Sequence, residues 1–295
     1  MQLLVYLLAY PFLWLISILP YRLFYLFSDG VFFLVFHVVG YRKKVVYNNL
    51  KLVFPEKDKA ELLRIRRSFY RHMCDMFLEM IKTMGLSKEE VKKRYHIVNM
   101  ELLQETLKHK SVLAICSHYA NWEWTTSINN YIDAKGYAVY QKIGNPYFDR
   151  LFQKIRARWN TTPVTTNDTP KTMVYNERNG IRAIYGIVSD QSPQAHRASY
   201  WSSFMGIKVP IYNGAEVLAR KLDMAVIFVK VSKAKRGFYE VELIPITLSG
   251  KETPKNAITE QFLRLSEEQI RERPEHYLWT HKRWKHRNKV PTEFQ

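Results

Sequence analysis

From residue 95 onward the chain alternates between two kinds of segment, and this restricts its fold more than any other feature. "YHIVN" (95–99), "SVLAIC" (111–116), "YAVYQ" (137–141), "IRAIYGIV" (181–188), "MAVIFVKV" (224–231) and "FYEVELIPI" (238–246) have the β-branched and aromatic content of strands. Helical stretches fall between several of them, at 120–132, 146–158, 213–222 and 256–272. Strands separated by helices predict an α/β fold: a mixed, mainly parallel sheet flanked by helices on both faces. Ligands of such sheets gather at the carboxyl ends of the strands.

Ahead of this region, "FPEKDKAELLRIRRSFYRHMCDMFLEMIK" reads as one helix. Leu62, Phe69, Met73, Met76, Phe77 and Met80 recur at helical spacing, as a core stripe or the top of a membrane-resting face, with arginines elsewhere on the surface. Ser87–Glu90, "SKEE", is a capping-box pattern that opens the next helix. No internal repeat or long Gly/Pro/Ser linker follows residue 45. The economical division is therefore a hydrophobic anchor or hairpin over 1–44 and one catalytic-sized domain over 45–295.

The first forty residues are of another kind. "MQLLVYLLAYPFLWLISILP" carries no charged side chain, and residues 23–40 are apolar apart from Asp29 and His37. There is no basic leader and no small-residue cleavage site, so a secretory signal is a poor match. At about 1.5 Å per residue, either run nearly crosses a hydrocarbon core of roughly 30 Å. Pro11 and Asp29–Gly30 interrupt them, which leaves one tilted span, a shallow hairpin or a buried helical pair open. "YRKK", Tyr41–Lys44, then favours retention of the exit side in the cytoplasm.

Lys and Arg number 45 against 27 Asp and Glu, a formal charge of +18, which calls for a polyanionic neighbour. Nucleic acid is not the expected one, because the charge is spread along the chain with no recognition module. An anionic membrane or a phosphorylated substrate fits better. Two cysteines, Cys74 and Cys116, make neither a disulfide framework nor a metal site and read as buried thiols.

"SHYANWEW", 117–124, carries the chemistry-bearing candidates. His118 falls just past a strand end, and Glu123 follows five residues later. On a continuous helix that separation leaves the two side chains roughly 140° apart. With His118 in the strand-to-helix turn and Asn121–Glu123 opening the helix, the carboxylate can reach back and fix the imidazole tautomer. Read from the residues alone, a base with its orienting acid and a pair of ordinary polar residues both remain open. Metal binding is disfavoured, since no second His or Cys lies at ligand spacing.

Five blocks in this order resemble the bacterial lipid A late acyltransferases, within the lysophospholipid and glycerolipid acyltransferase superfamily. They are "YRKKVVYNNLKLVFPE"; "SHYANWEW"; "VYQKIGNPYFDRLFQKIRARWN"; "SDQSPQ" with "FMGIKVPIYNG"; and "PEHYLWTHKRWKHR". The resemblance covers about residues 41–287. It implies a glycerol-3-phosphate acyltransferase-like fold and transfer of a fatty acyl group from a thioester to a lipid hydroxyl. By it His118 is the general base and Glu123 orients the imidazole. It puts Arg156, and second to it Arg158, near the active site, and makes Asp190 an orderer of the arginine or a positioner of the acceptor. Asn49 matches a family position without a defined role.

The resemblance further implies acyl carrier protein or acyl-coenzyme A as donor, a phosphorylated glycolipid acceptor, no cofactor or metal, and the cytoplasmic face of the inner membrane. "HKRWKHR", 281–287, is expected to touch anionic headgroups or a phosphorylated sugar, or to act as a solubilising terminus. Gln141 departs from the pattern, standing where many relatives carry arginine. That leaves a lysophospholipid, an amino-acid lipid or another glycolipid open as acceptor.

Overall fold

The computed structural model describes residues 1–294. Its chain begins with helices α1 (Gln2–Ile18) and α2 (Tyr21–Phe33), the latter prolonged by a wider turn over Leu34–Val39 and stopped by Gly40 in the left-handed region. Helices α3 (Lys43–Val53), α4 (Lys59–Lys82) and α5 (Lys88–Arg94) follow. The α/β part then runs β1 (Tyr95–Ile97), α6 (Met100–His109), β2 (Val112–Cys116), a 3-10 helix (Trp122–Tyr131), β3 (Lys135–Tyr140), α7 (Pro146–Arg156), β4 (Thr161–Thr165), α8 (Thr169–Arg178) and β5 (Ala183–Val188). A hairpin of β6 (Trp201–Phe204) and β7 (Ile207–Pro210), α9 (Gly214–Lys221), β8 (Ala225–Lys235), β9 (Phe238–Thr247) and α10 (Ala257–Glu272) complete it.

The main sheet has the order β1-β9-β8-β2-β5-β3-β4. Strands β8, β2, β5, β3 and β4 are parallel, while β9 returns antiparallel to β8 and β1 lies parallel to β9. The sheet is thus mixed and mainly parallel, as the alternation predicts. Every residue of β2 is buried, as expected of a central strand covered on both faces. Strand β4, "TTPVT", carries Pro163 and so reads poorly as a strand; its place at the sheet edge tolerates the missing donor.

Helix α4 joins the two parts of the molecule. Asp58 caps it by accepting from the Glu61 amide, and Leu62, Phe69, Met73, Met76 and Met80 are buried as core, whereas Phe77 is exposed. Asp75 and Glu79 are buried on the same helix. Helix α2 packs on it through polar pairs: Ser28 donates to Asp75, and Arg236 bridges Asp75 and Asp29. The β8–β9 turn comes so close to α2 that a Cβ at Gly237 (φ +75°) would meet the Tyr25 hydroxyl.

The N-terminal break differs from the expectation. Both Pro11 and Asp29–Gly30 lie inside helices, and the chain turns at Leu19–Pro20. Leu19 is extended, as a residue before proline prefers, while Asp29 is held in its helix by Arg236. Tyr21–Val39 is long and apolar enough to cross a membrane by length and composition; Gln2–Ile18 is shorter.

Candidate active site

Strands β2 and β5 are paired in register, Cys116 opposite Val188, and the ladder runs one step further through Ser189 N–H to the Cys116 carbonyl. Two residues beyond each strand stand His118 and Asp190. The His118 ring Nδ1 lies 2.6 Å from Asp190 Oδ1, which also accepts the His118 amide at 3.0 Å. Asp190 is 2 % exposed, so these bonds replace its hydration. Burial pushes its pKa up, but the His118 charge and hydrogen bonds outweigh that and hold it below the usual carboxylate range. With Nδ1–H donating to Asp190, the free ring nitrogen is Nε2, and Gln191 Nε2 approaches it at 3.2 Å. Trp122 packs its ring edgewise on the imidazole, centroids 5.0 Å apart.

The hydrogen-bond partner of Glu123 in the structure is Arg156, whereas that of the His118 ring Nδ1 is Asp190. Asn121 caps the 3-10 helix by accepting from Trp124 N–H, and the first turn carries Glu123 toward the last residue of α7. There Arg156 clamps it with two bonds, Nε to Oε2 at 3.1 Å and an NH2 nitrogen to Oε1 at 2.7 Å. Burial pulls the Arg156 pKa down, but the Glu123 carboxylate more than offsets this, so the guanidinium stays charged. Strand register, not the five-residue spacing, brings the carboxylate that meets the ring, and the carboxylate on Arg156 is that of Glu123 rather than the expected Asp190.

The other expected residues divide. Arg156 lies in the cluster beside Glu123. Arg158, in the next turn, donates to the Leu86 carbonyl at 2.7 Å and so braces the α4–α5 junction. Asn49 donates to the carbonyls of Trp279 and His281, tying α3 to the C-terminal segment. The centre of that segment is buried in the fold rather than presented to solvent. Arg283 and Trp284 are each 1 % exposed, Trp284 stacks on Phe204 and Trp279, and only Lys282, Lys285 and Arg287 of its basic groups are exposed. Aromatic packing under the β6–β7 hairpin pulls it inward.

Residues not singled out from sequence also face the dyad. The Tyr277 hydroxyl is turned to Asp190, and burial raises its pKa well above the ordinary value. His281 accepts the Ser192 amide, and burial lowers its pKa to about 4. Gln191 was legible only as the neighbour of Asp190. A cavity of about 810 Å³ opens at the opposite end of the sheet, beside Lys135 and Arg182, and contains none of these groups.

An imidazole held through Nδ1 by a buried acid, just past the carboxyl ends of two parallel strands, has the geometry that a proton acceptor at Nε2 requires. The chain belongs to the bacterial lipid A biosynthesis acyltransferase family, whose model matches residues 2–286. It is similar to the lipid A biosynthesis lauroyltransferase of Escherichia coli (strain K12), 23 % identical over 286 residues, covering 96 % of this chain and 92 % of the relative. It is also similar to the palmitoleoyltransferase of lipid A biosynthesis from the same organism, and to a lipid A biosynthesis acyltransferase of Shigella flexneri. Each of these is 23 % identical over 286 residues, covering 93 % of this chain and 89 % of the relative.

Proposed function

We propose that this acyltransferase moves a fatty acyl group from a thioester to a hydroxyl of a lipid A precursor, with His118 as general base and Asp190 as its orienting acid. The observation that carries the reading is the 2.6 Å contact between His118 Nδ1 and Asp190 Oδ1 in a chain of this family. The acceptor hydroxyl displaces the Gln191 amide from His118 Nε2 and gives up its proton there. Its oxygen attacks the thioester carbonyl, forming a tetrahedral intermediate. Collapse of that intermediate breaks the C–S bond, and the imidazolium returns the proton to the leaving thiolate. Asp190 stabilises the imidazolium that exists between the two transfers.

Glu123 fixes the Arg156 guanidinium rather than the ring. Arg156 then supplies a preorganised positive charge for a substrate phosphate or for the oxyanion. The donor in this reading is acyl carrier protein or acyl-coenzyme A, both anionic and suited to a chain of charge +18. The reaction calls for no resident cofactor or metal. Arg158 and Asn49 hold the fold around the site.

The N-terminal region, residues 1–44, serves in this proposal as the anchor on the cytoplasmic face of the inner membrane, with the catalytic domain following it. Both ends of α1 rest on the domain, which favours a hairpin lying in one leaflet over a span: Asn145 donates to the Gln2 carbonyl, Tyr6 stacks on Tyr147, and Lys82 donates to the Leu19 carbonyl. Asp29, midway along α2, is ion-paired with Arg236 and would be costly at a bilayer centre. Leu4, Leu8, Phe12, Trp14, Leu26, Phe33 and Val38 point outward, unpartnered by the domain.

Mass spectrometry of lipid A from a host carrying either the intact chain or His118→Ala tests the reading. Loss of one secondary acyl chain with His118→Ala is expected. An unchanged lipid A profile would transfer the same chemistry to a different lipid hydroxyl, as the departure at Gln141 also allows.

A further inference from the structure

Glu79 takes no part in the proton transfers described above, yet it is 0 % exposed and three side chains converge on its carboxylate. Tyr25 of α2 donates to Oε1 at 2.8 Å; Tyr239 of β9 and Asn121 donate to Oε2 at 2.7 and 2.8 Å. Asn121 lies between His118 and Glu123, and its own oxygen accepts the Trp124 amide at 3.2 Å. Trp124 is held from the same place, its indole N–H reaching the Glu79 carbonyl at 3.2 Å and Thr83 Oγ1 at 3.0 Å. Positions 121 and 124 are therefore both drawn inward onto one turn of α4. Ala120 before them adopts φ +49°, a conformation that a side-chain-bearing residue takes only under constraint.

We infer that Glu79 is a positioning residue: by holding Asn121 and Trp124 inward, it turns Glu123 toward Arg156 and fixes the segment that begins at His118. Through Tyr25 the same carboxylate ties this segment to the N-terminal hairpin. Burial raises the Glu79 pKa, yet every neighbouring side chain that hydrogen-bonds to it donates, so its acceptor oxygens are what the arrangement uses. A group that only filled space here would be apolar, since a buried carboxyl without such donors is costly. The inference rests on His118 and Glu123 being site residues.

The test compares Glu79→Leu, Asn121→Ser and Glu79→Gln in the full-length protein, with dodecanoyl-coenzyme A and a lipid A precursor as probes. Glu79→Leu removes both acceptors. Asn121→Ser keeps a cap for Trp124 but cannot span to Glu79, and it carries the test if Glu79→Leu does not fold. Glu79→Gln keeps an oxygen for Asn121 and Tyr239 while its amide faces Tyr25, so it recovers most of the lost turnover. Turnover of folded protein is expected to fall roughly ten- to hundredfold in the first two variants, with donor KM little changed. Hydrogen exchange at the amides of residues 118–124 should rise in both, and this readout does not depend on the acceptor. Unchanged exchange there, wild-type turnover in Asn121→Ser, or a loss that merely tracks the unfolded fraction would overturn the inference.

Discussion

His118 and Asp190 stand on one rung beyond the ends of two neighbouring parallel strands. Cys116 faces Val188 two residues earlier, and the ring Nδ1 meets the Asp190 carboxylate at 2.6 Å. In the proposed reaction this contact decides which ring nitrogen is bare. Asp190→Asn should present an amide donor to Nδ1 and favour the wrong tautomer. Turnover should drop by about 10³–10⁴ with KM little altered, by analogy with the equivalent change in a serine protease triad. A loss under tenfold in steady-state kinetics would contradict the assignment.

Glu123→Gln removes one partner of a largely buried ion pair and leaves the Arg156 charge uncompensated. Denaturant unfolding should show a loss of about 1–3 kcal/mol, the smaller part of the usual range because both groups keep some exposure. Arg156→Lys should not restore activity, because one ammonium cannot reproduce the two-pronged clamp. Full activity in Arg156→Lys would show that charge alone suffices.

The C-terminal segment behaves as core. Trp284→Ala should destabilise by about 3–5 kcal/mol, the range for removing a buried aromatic, and Trp284→Phe by less. Thermal unfolding measures this; a melting temperature unchanged by Trp284→Ala would return the segment to the role of a tail.

Acid should act in two stages. Burial holds His276 and His281 neutral, with pKa values lowered to about 3 and about 4. Such groups bind protons more readily when unfolded, so stability declines as pH falls from about 6.5 toward those folded values. Asp190 has a depressed folded pKa; its contribution is intact above its unfolded value of 3.8 and is lost only as pH falls through the folded pKa. Melting temperature against pH should therefore begin to drop well above pH 4. His281→Gln should make that first decline shallower, and an identical slope would contradict the cause given.

The α/β class was legible because strand-like runs and amphipathic runs alternate, a property of local composition. The position of His118 was legible too, since "SVLAIC" ends where the chain must leave the sheet. Its partner was not. Asp190 reaches His118 only because β5 inserts between β2 and β3, a strand order that no local pattern encodes. Glu123 suits the role by nearness alone, but the first turn of the ten-residue 3-10 helix carries it to α7. Strand β4 stayed hidden behind Pro163, and the polar seat of α2 behind an almost wholly apolar stretch, because both depend on partners distant in sequence.

In the proposed reaction one proton matters most: it sits on His118 Nδ1, directed at Asp190, and leaves Nε2 as the base. Nitrogen NMR of the protein labelled in its histidines, with His118 assigned by its absence in His118→Ala, reads this directly. A protonated Nδ1 and a bare Nε2 are expected in the unaltered protein, and the other tautomer in Asp190→Asn. A proton on Nε2 in the unaltered protein would overturn the assignment of that nitrogen as the base.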